Sequence, residues 1–235
     1  MWDPTVDGRL LHFHLAGINN QNFIMRDEET GSWWQQVSGE AIFGPLKGKH
    51  LKPVYVDELS FATWKREEPD GRVLRPDPMI AASGKYAPAD WEDRMLRVPV
   101  ATETHAPELN NRDLVIGVSL NGAARAYPVT AMQKQNPIID NVGGMPLVIF
   151  MSEDGKSIRA FDRNFDGRER EFFLKANSSP LRLIDDQGTE WNFAGTALTG
   201  VLAGKELNRV AILKDYWFDW RTYNPKTTVY TLGER

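Results

Sequence analysis

The chain has 235 residues, a net charge of -4 and 41% hydrophobic residues, with eight Trp and eleven Phe. That length suits one large or two small domains, the aromatic supply excludes a disordered chain, and an acidic balance without a Lys/Arg cluster excludes counterion-driven nucleic-acid binding. No apolar run reaches the roughly 18 residues of a membrane-spanning helix, the amino terminus lacks a signal-peptide layout, and the absence of cysteine removes disulfides, thiolate metal sites and a cysteine nucleophile from these residues.

In chain order, Leu10 to Leu15 and Phe23 to Met25 are expected as strands, with Asn19 to Asn22 as their turn. Asp57 to Arg66 reads as a short helix ended near Pro69, and Tyr216 to Tyr223, before Pro225, as a second of the same kind. Arg72 to Asn111, rich in Pro, Arg and Asp, reads as a long connector. Leu114 to Leu120 and Ala123 to Tyr127 flank Asn121-Gly122, the residue pair that supplies two positive φ angles to a type I′ hairpin. Pro128 opens a short helix over Val129 to Gln135, and Pro146 to Phe150 with Ser157 to Phe161 form another hairpin around Glu153-Asp154-Gly155. The expected class is mostly β, or α+β with few short helices.

The chain also repeats itself. Gly39, Gly44, Gly48 and Leu51 match Gly195, Gly200, Gly204 and Leu207 at a constant spacing, and Trp64, Pro69 and Val73 then fall on Trp220, Pro225 and Val229. Upstream, Trp34 falls on Trp191, Asp7-Gly8-Arg9 on Asp166-Gly167-Arg168, and Met1-Trp2-Asp3 on Ala160-Phe161-Asp162. The expected organisation is a tandem duplication of a β-rich unit: an incomplete first copy over residues 1–75, a connector over 76–111 and a second copy over 112–235. Leu114 to Arg159 has no counterpart in the first copy, so either the chain is the later part of a longer protein or the first copy was always incomplete. An incomplete copy exposes strand edges and apolar surface, and predicts a protein partner or self-association.

These residues carry a resemblance to the bacterial family catalogued as domain of unknown function 3179. It runs through Asp7-Gly8-Arg9, Ser32-Trp33-Trp34-Gln35-Gln36 and Gly44-Pro45-Leu46, then through Val115 to Val118, Asn121-Gly122, Ala124 to Pro128, Asn141 to Pro146 and Trp217-Phe218 with Trp220. The resemblance implies an exported, periplasmic or cell-envelope protein and carries no settled reaction. Three departures stand out: the family's Tyr-Cys-Pro-x-Cys-like segment is missing, Asp140-Asn141 stands where the family tends to Asn-Asp, and Asn224-Pro225 where it tends to His-Pro.

Among candidate sites, His12 and His14 sit two apart on a predicted strand and so share a face, as two metal ligands could; packing or surface residues are the plainer reading. Asn20, Asn22, Asp27, Ser32, Trp34 and Gln36 form the densest polar-aromatic set, suited to a glycan or another amphipathic small ligand; turns around a core tryptophan are the plainer reading. Arg125, Tyr127 and Asn141, from the family-like motifs, and Trp191, the counterpart of Trp34, complete the ligand candidates. The repeated glycines lack dinucleotide or phosphate-loop spacing, and no catalytic set is legible. No cofactor is expected. The leading expectation is a non-catalytic binding or assembly module of the bacterial cell envelope; the alternatives are a fragment of a redox or metal-dependent enzyme whose reactive cysteines lie upstream of residue 1, and a carbohydrate-binding module.

Overall fold

The computed structural model describes residues 1–19, 22–100 and 109–233. With 37% strand and 14% helix, arranged as several small sheets, the class is mostly β. The hairpin Leu114–Leu120/Ala123–Pro128 forms as expected, turning at Asn121 (φ 49°) and Gly122 (φ 81°). Leu213–Tyr216 joins one side of it antiparallel and Thr228–Val229 the other side parallel, giving a four-stranded sheet. A second sheet runs Ile138–Val142, Met145–Met151, Ile158–Asp162, Arg209–Val210.

Met145–Met151 reads as an unbroken apolar run because both of its faces are covered. Leu147, Ile149 and Met151 face one core with Ile116, Val118, Tyr127 and Ile138. Val148 and Phe150 face another with Phe161, Phe172, Trp191 and Phe193. In the N-terminal half, Phe13–Asn19, Asn22–Asp27, Trp33–Gln35 and Ala41–Phe43 form a four-stranded sheet, with Trp34 fully buried among Val6, Leu11, Ala41 and Leu51.

The expected strand from Leu10 to Leu15 is divided: Arg9–Leu10 ends a small hairpin, and Phe13–Asn19 begins after buried Leu11, whose N–H donates to Pro4 O. The helix expected from Asp57 starts later, as Phe61–Glu67, because Ser60 Oγ caps it by accepting from Thr63 N at 3.2 Å. The helix expected to run to Gln135 spans only Val129–Met132. The connector holds two short helices that the sequence reading did not anticipate, Pro78–Ala82 and Trp91–Met95; Asp77 caps the first and Pro78 fits its first position.

The sequence matches coincide with matched hydrogen bonds. Asp7 and Gly8 turn with φ of 49° and 77°, Asp166 and Gly167 with 50° and 76°, each closing a two-residue hairpin. Trp34 Nε1 donates to Asp27 Oδ2 at 2.8 Å, and Trp191 Nε1 to Asp185 Oδ2 at 3.1 Å. Gly48 N bonds Ala41 O and Gly204 N bonds Ala197 O, both at 2.8 Å; Leu51 N bonds Gly39 O and Leu207 N bonds Gly195 O, both at 2.9 Å. Gly39 and Gly195 have φ of 68° and 86°, and a Cβ on either would stand 2.9 Å from the Trp2 ring or 2.4 Å from the Phe161 ring. Only glycine satisfies both the left-handed backbone and that approach.

Gly195→Ala is therefore expected to lower the unfolding free energy by about 3 kcal/mol in urea titration, from positive-φ strain plus overpacking. Gly17→Ala, where φ is ordinary and a Cβ meets open space, should change it by less than about 0.5 kcal/mol.

Candidate functional site

After Lys52–Pro53, which pairs with Trp2–Asp3, the chain leaves the N-terminal half, and residues 54–69 form a strap across the C-terminal half. A buried arginine and a half-buried aspartate hold it. Arg159, 4% exposed, donates Nε and Nη2 to Asp57 Oδ2 at 3.0 and 2.6 Å, and its Nη1 and Nη2 to the Glu67 carboxylate at 2.7 and 2.8 Å. Its guanidinium also lies 4.7 Å from the centre of the Phe193 ring. Asp154 Oδ2 accepts from Ser60 Oγ at 2.6 Å, Thr63 Oγ1 at 2.9 Å and Ser157 Oγ at 2.6 Å. Burial works to raise the Asp154 carboxyl, but the hydrogen bonds from Ser152, Ser157 and Ser60 outweigh it and hold the group well below the usual carboxylate range. Arg66–Glu153 and Lys214–Glu58, each at 2.7 Å, add exposed pairs.

At the other end of the seam, Asn22 of the N-terminal sheet donates Nδ2 to Asp219 Oδ1 of the helix Trp217–Tyr223. Asp215 sits four residues earlier, hydrogen-bonded to Asp219. Burial, then the neighbouring Asp219 charge, pushes Asp215 up to about 8, and burial also raises Asp219. Near neutrality Asp215 keeps its proton and donates it to Asp219, which also accepts from Asn22.

Between strap and C-terminal half lies a cleft of about 950 Å³, lined by Trp64, Arg66, Arg159, Asn192, Phe193 and Arg209 among others. Beside it the strap exposes an apolar apron: Val54 (42%), Tyr55 (67%), Val56 (50%) and Phe61 (66%). The matched residues of the C-terminal half are differently placed. Val210 and Ile212 pack on the core there, and Trp217 is 2% exposed.

Of the residues singled out in the sequence, Asn20 lies outside the described residues. Asn22 reaches the seam. Asp27, Ser32 and Trp34 are fully buried, Asp27 accepting from Trp34 Nε1 and Thr30, and Ser32 Oγ accepting from Leu46 N at 3.1 Å. Trp191 is equally closed to solvent, so neither tryptophan offers a ring face to a ligand. Gln36 accepts from Trp2 Nε1 through its backbone oxygen at 2.6 Å. Arg125, Tyr127 and Asn141 gather on Asp140, at 2.8 Å from Arg125 Nε, 2.8 Å from Tyr127 OH and 2.7 Å from Asn141 N. His12 pairs with Glu29 at 2.6 Å and His14 stands 4.0 Å from Glu28; among the described residues no group of three or more His, Asp or Glu is arranged to hold a metal.

Arg159, Asp154, Asp215 and Asp219 escaped the sequence reading. The first two acquire their roles from partners about 90 to 100 residues away in the chain. Asp215 lies in a strand, Leu213–Tyr216, and Asp219 in the helix that follows, so no helical spacing pointed to the acid pair.

Because Asp215 binds its proton in the folded state up to about pH 8 and an unfolded Asp only to about 4, the native state holds the extra proton between those values, and stability falls as pH rises through that window. Asp215→Asn is expected to flatten the pH dependence of unfolding there, by up to about 1.4 kcal/mol per pH unit, and to be the more stable protein at pH 8. Urea midpoints from pH 5 to pH 9 (about one pH unit apart) provide the check.

No curated protein and no solved structure matches the chain. Residues 1–227 match the family described as "Protein of unknown function (DUF3179)". With nearly its whole length matched, the chain belongs to the DUF3179 family.

Proposed function

We propose that the protein is a non-catalytic assembly module of the bacterial cell envelope, built by tandem duplication, which associates through the apolar apron of its strap. One observation carries this reading: Val54, Val56 and Phe61 are exposed, whereas of their matches in the C-terminal half Val210 and Ile212 are half-buried against the core and Trp217 is 2% exposed. In that half the cover comes from the sheets formed by residues 114–151, for which the N-terminal half has no counterpart. Water-exposed valines and aromatics grouped on one segment favour burial against another polypeptide. The occupant we commit to is a second copy of the chain, apron against apron, an arrangement that closes on itself. The envelope setting comes from the family resemblance.

In concentration-dependent sedimentation the wild-type protein is expected to form dimers, and the double variant Val56→Asp/Phe61→Asp to be monomeric with an unchanged circular dichroism spectrum. A wild-type protein that remains monomeric at the highest soluble concentration contradicts the reading.

The cleft supports a second reading, glycan binding. Trp64 and Phe193 give it aromatic surface beside Asn192 and three arginines, the combination that suits the apolar faces and hydroxyls of a sugar. Titration with a soluble N-acetylglucosamine oligomer is expected to change tryptophan fluorescence in the wild type and not in Trp64→Phe; no saturable change in the wild type rejects it.

A further inference from the structure

A different face of the C-terminal half presents two open strand edges to one groove. Ile138–Val142 is an edge strand of its sheet, and Phe172–Leu174 is an edge strand of the sheet it forms with Leu183–Asp185 and Glu190–Trp191. Both line the same cleft of about 730 Å³.

The registers fix which backbone groups point into it. Gly143 and Gly144, with φ of 58° and 81°, make a two-residue turn closed by the pair Val142↔Met145. In such a hairpin the closing pair exchanges hydrogen bonds and every second pair repeats them, so Asp140 and Ile138 bond inward while Ile139 and Asn141 direct their N–H and C=O outward. The Asn141 N–H is taken by Asp140 Oδ1 at 2.7 Å. On the facing edge, Asp186 N bonds Glu171 O at 3.0 Å and Lys175 N bonds Arg182 O at 2.9 Å. That phase places Phe173 in the bonded pair with Ile184 and leaves Phe172 and Leu174 with outward backbone groups.

The side chains around these edges fit the same picture. Phe173 is 56% and Leu174 39% exposed at the rim. Arg163, 6% exposed, also lines the groove; its Nη atoms bond Glu169, Glu171 and the Arg170 carbonyl, while its buried Nε has no partner. Unsatisfied outward amides and carbonyls beside exposed apolar side chains are the elements of strand-addition recognition, in which the main chain supplies affinity and alternate side chains supply specificity.

We propose that this groove receives an extended peptide segment, which adds as a strand to the Ile138–Val142 edge and meets Phe172–Leu174 on its other side, so that one inserted strand joins two sheets. The peptide chemistry that fits is an extended backbone with apolar side chains on both faces, one beside Phe173 and one beside Leu174, and a carbonyl or side-chain acceptor available to Arg163. The surface is separate from the apron, so this site stands or falls independently of self-association.

The test uses a displayed library of random heptapeptides selected against the full chain, followed by residue-level hydrogen exchange with a selected synthetic peptide. Expected are selected peptides with alternating apolar residues, slowed exchange at the Ile139, Phe172 and Leu174 amides, affinity weakened about tenfold or more by Phe173→Asp, and no change with Phe61→Asp. Hydrogen exchange on the wild type reads the site even where a variant folds poorly. A library that yields no binder, or binders whose protection falls away from these three amides, overturns the proposal.

Discussion

Arg159, its guanidinium 4.7 Å from the centre of the Phe193 ring, draws in Asp57 and Glu67 from the strap, and the relation between the two halves follows from that contact. A guanidinium that is nearly out of water carries a large desolvation cost, which the two carboxylates offset only because its fork matches them at 2.6 to 3.0 Å. Loss of Arg159 would leave Glu67 without this partner and Asp57 with Arg209 alone. The strap is consequently held along its polar side, from Asp57 through Ser60 and Thr63 to Glu67. Its apolar side, Val54 to Val56 with Phe61, is left facing outward as a consequence of the same anchoring. Stability and exposure are two results of one set of ion pairs.

The seam is polar where a core would be apolar. At one end lie Arg159 and Asp154, whose hydrogen bonds favour their charged forms; at the other lie Asp215 and Asp219, whose burial disfavours a second charge. Raising the pH therefore acts on the Asn22–Asp219 end and leaves the Arg159 end intact. The two halves are coupled unequally along their length, and this follows from which side chains meet at the seam rather than from its area.

Much of the fold was legible because it is written locally. Asn121-Gly122 specifies its tight hairpin through positive φ angles; Asp7-Gly8 was legible only as the match of Asp166-Gly167, and the structure turns a hairpin at both. The set from Asn20 to Gln36 was legible as a polar-aromatic cluster that either binds a ligand or closes turns around a core tryptophan; the second holds because the indole is covered by Leu11, Ala41 and Leu51 from several strands. The helix start at Ser60 was missed because the reading began the helix at Asp57, whose carboxylate is instead taken by an arginine 102 residues away. The seam could not be read at all from spacing. The gathering of Arg125, Tyr127 and Asn141 on Asp140 lies between these cases: their motifs were visible, and the shared aspartate beside them was not singled out as their meeting point.

The central claim is that the strap's outward apolar side is a contact surface. Because the chain has no cysteine, one introduced thiol reports a single position. Val56→Cys on the apron and Ser83→Cys on the connector would each be oxidised under mild conditions and the products separated without reductant. The account predicts rapid conversion of the Val56→Cys protein to a covalent dimer while the Ser83→Cys protein stays largely monomeric; equal, slow dimerisation of both would contradict it.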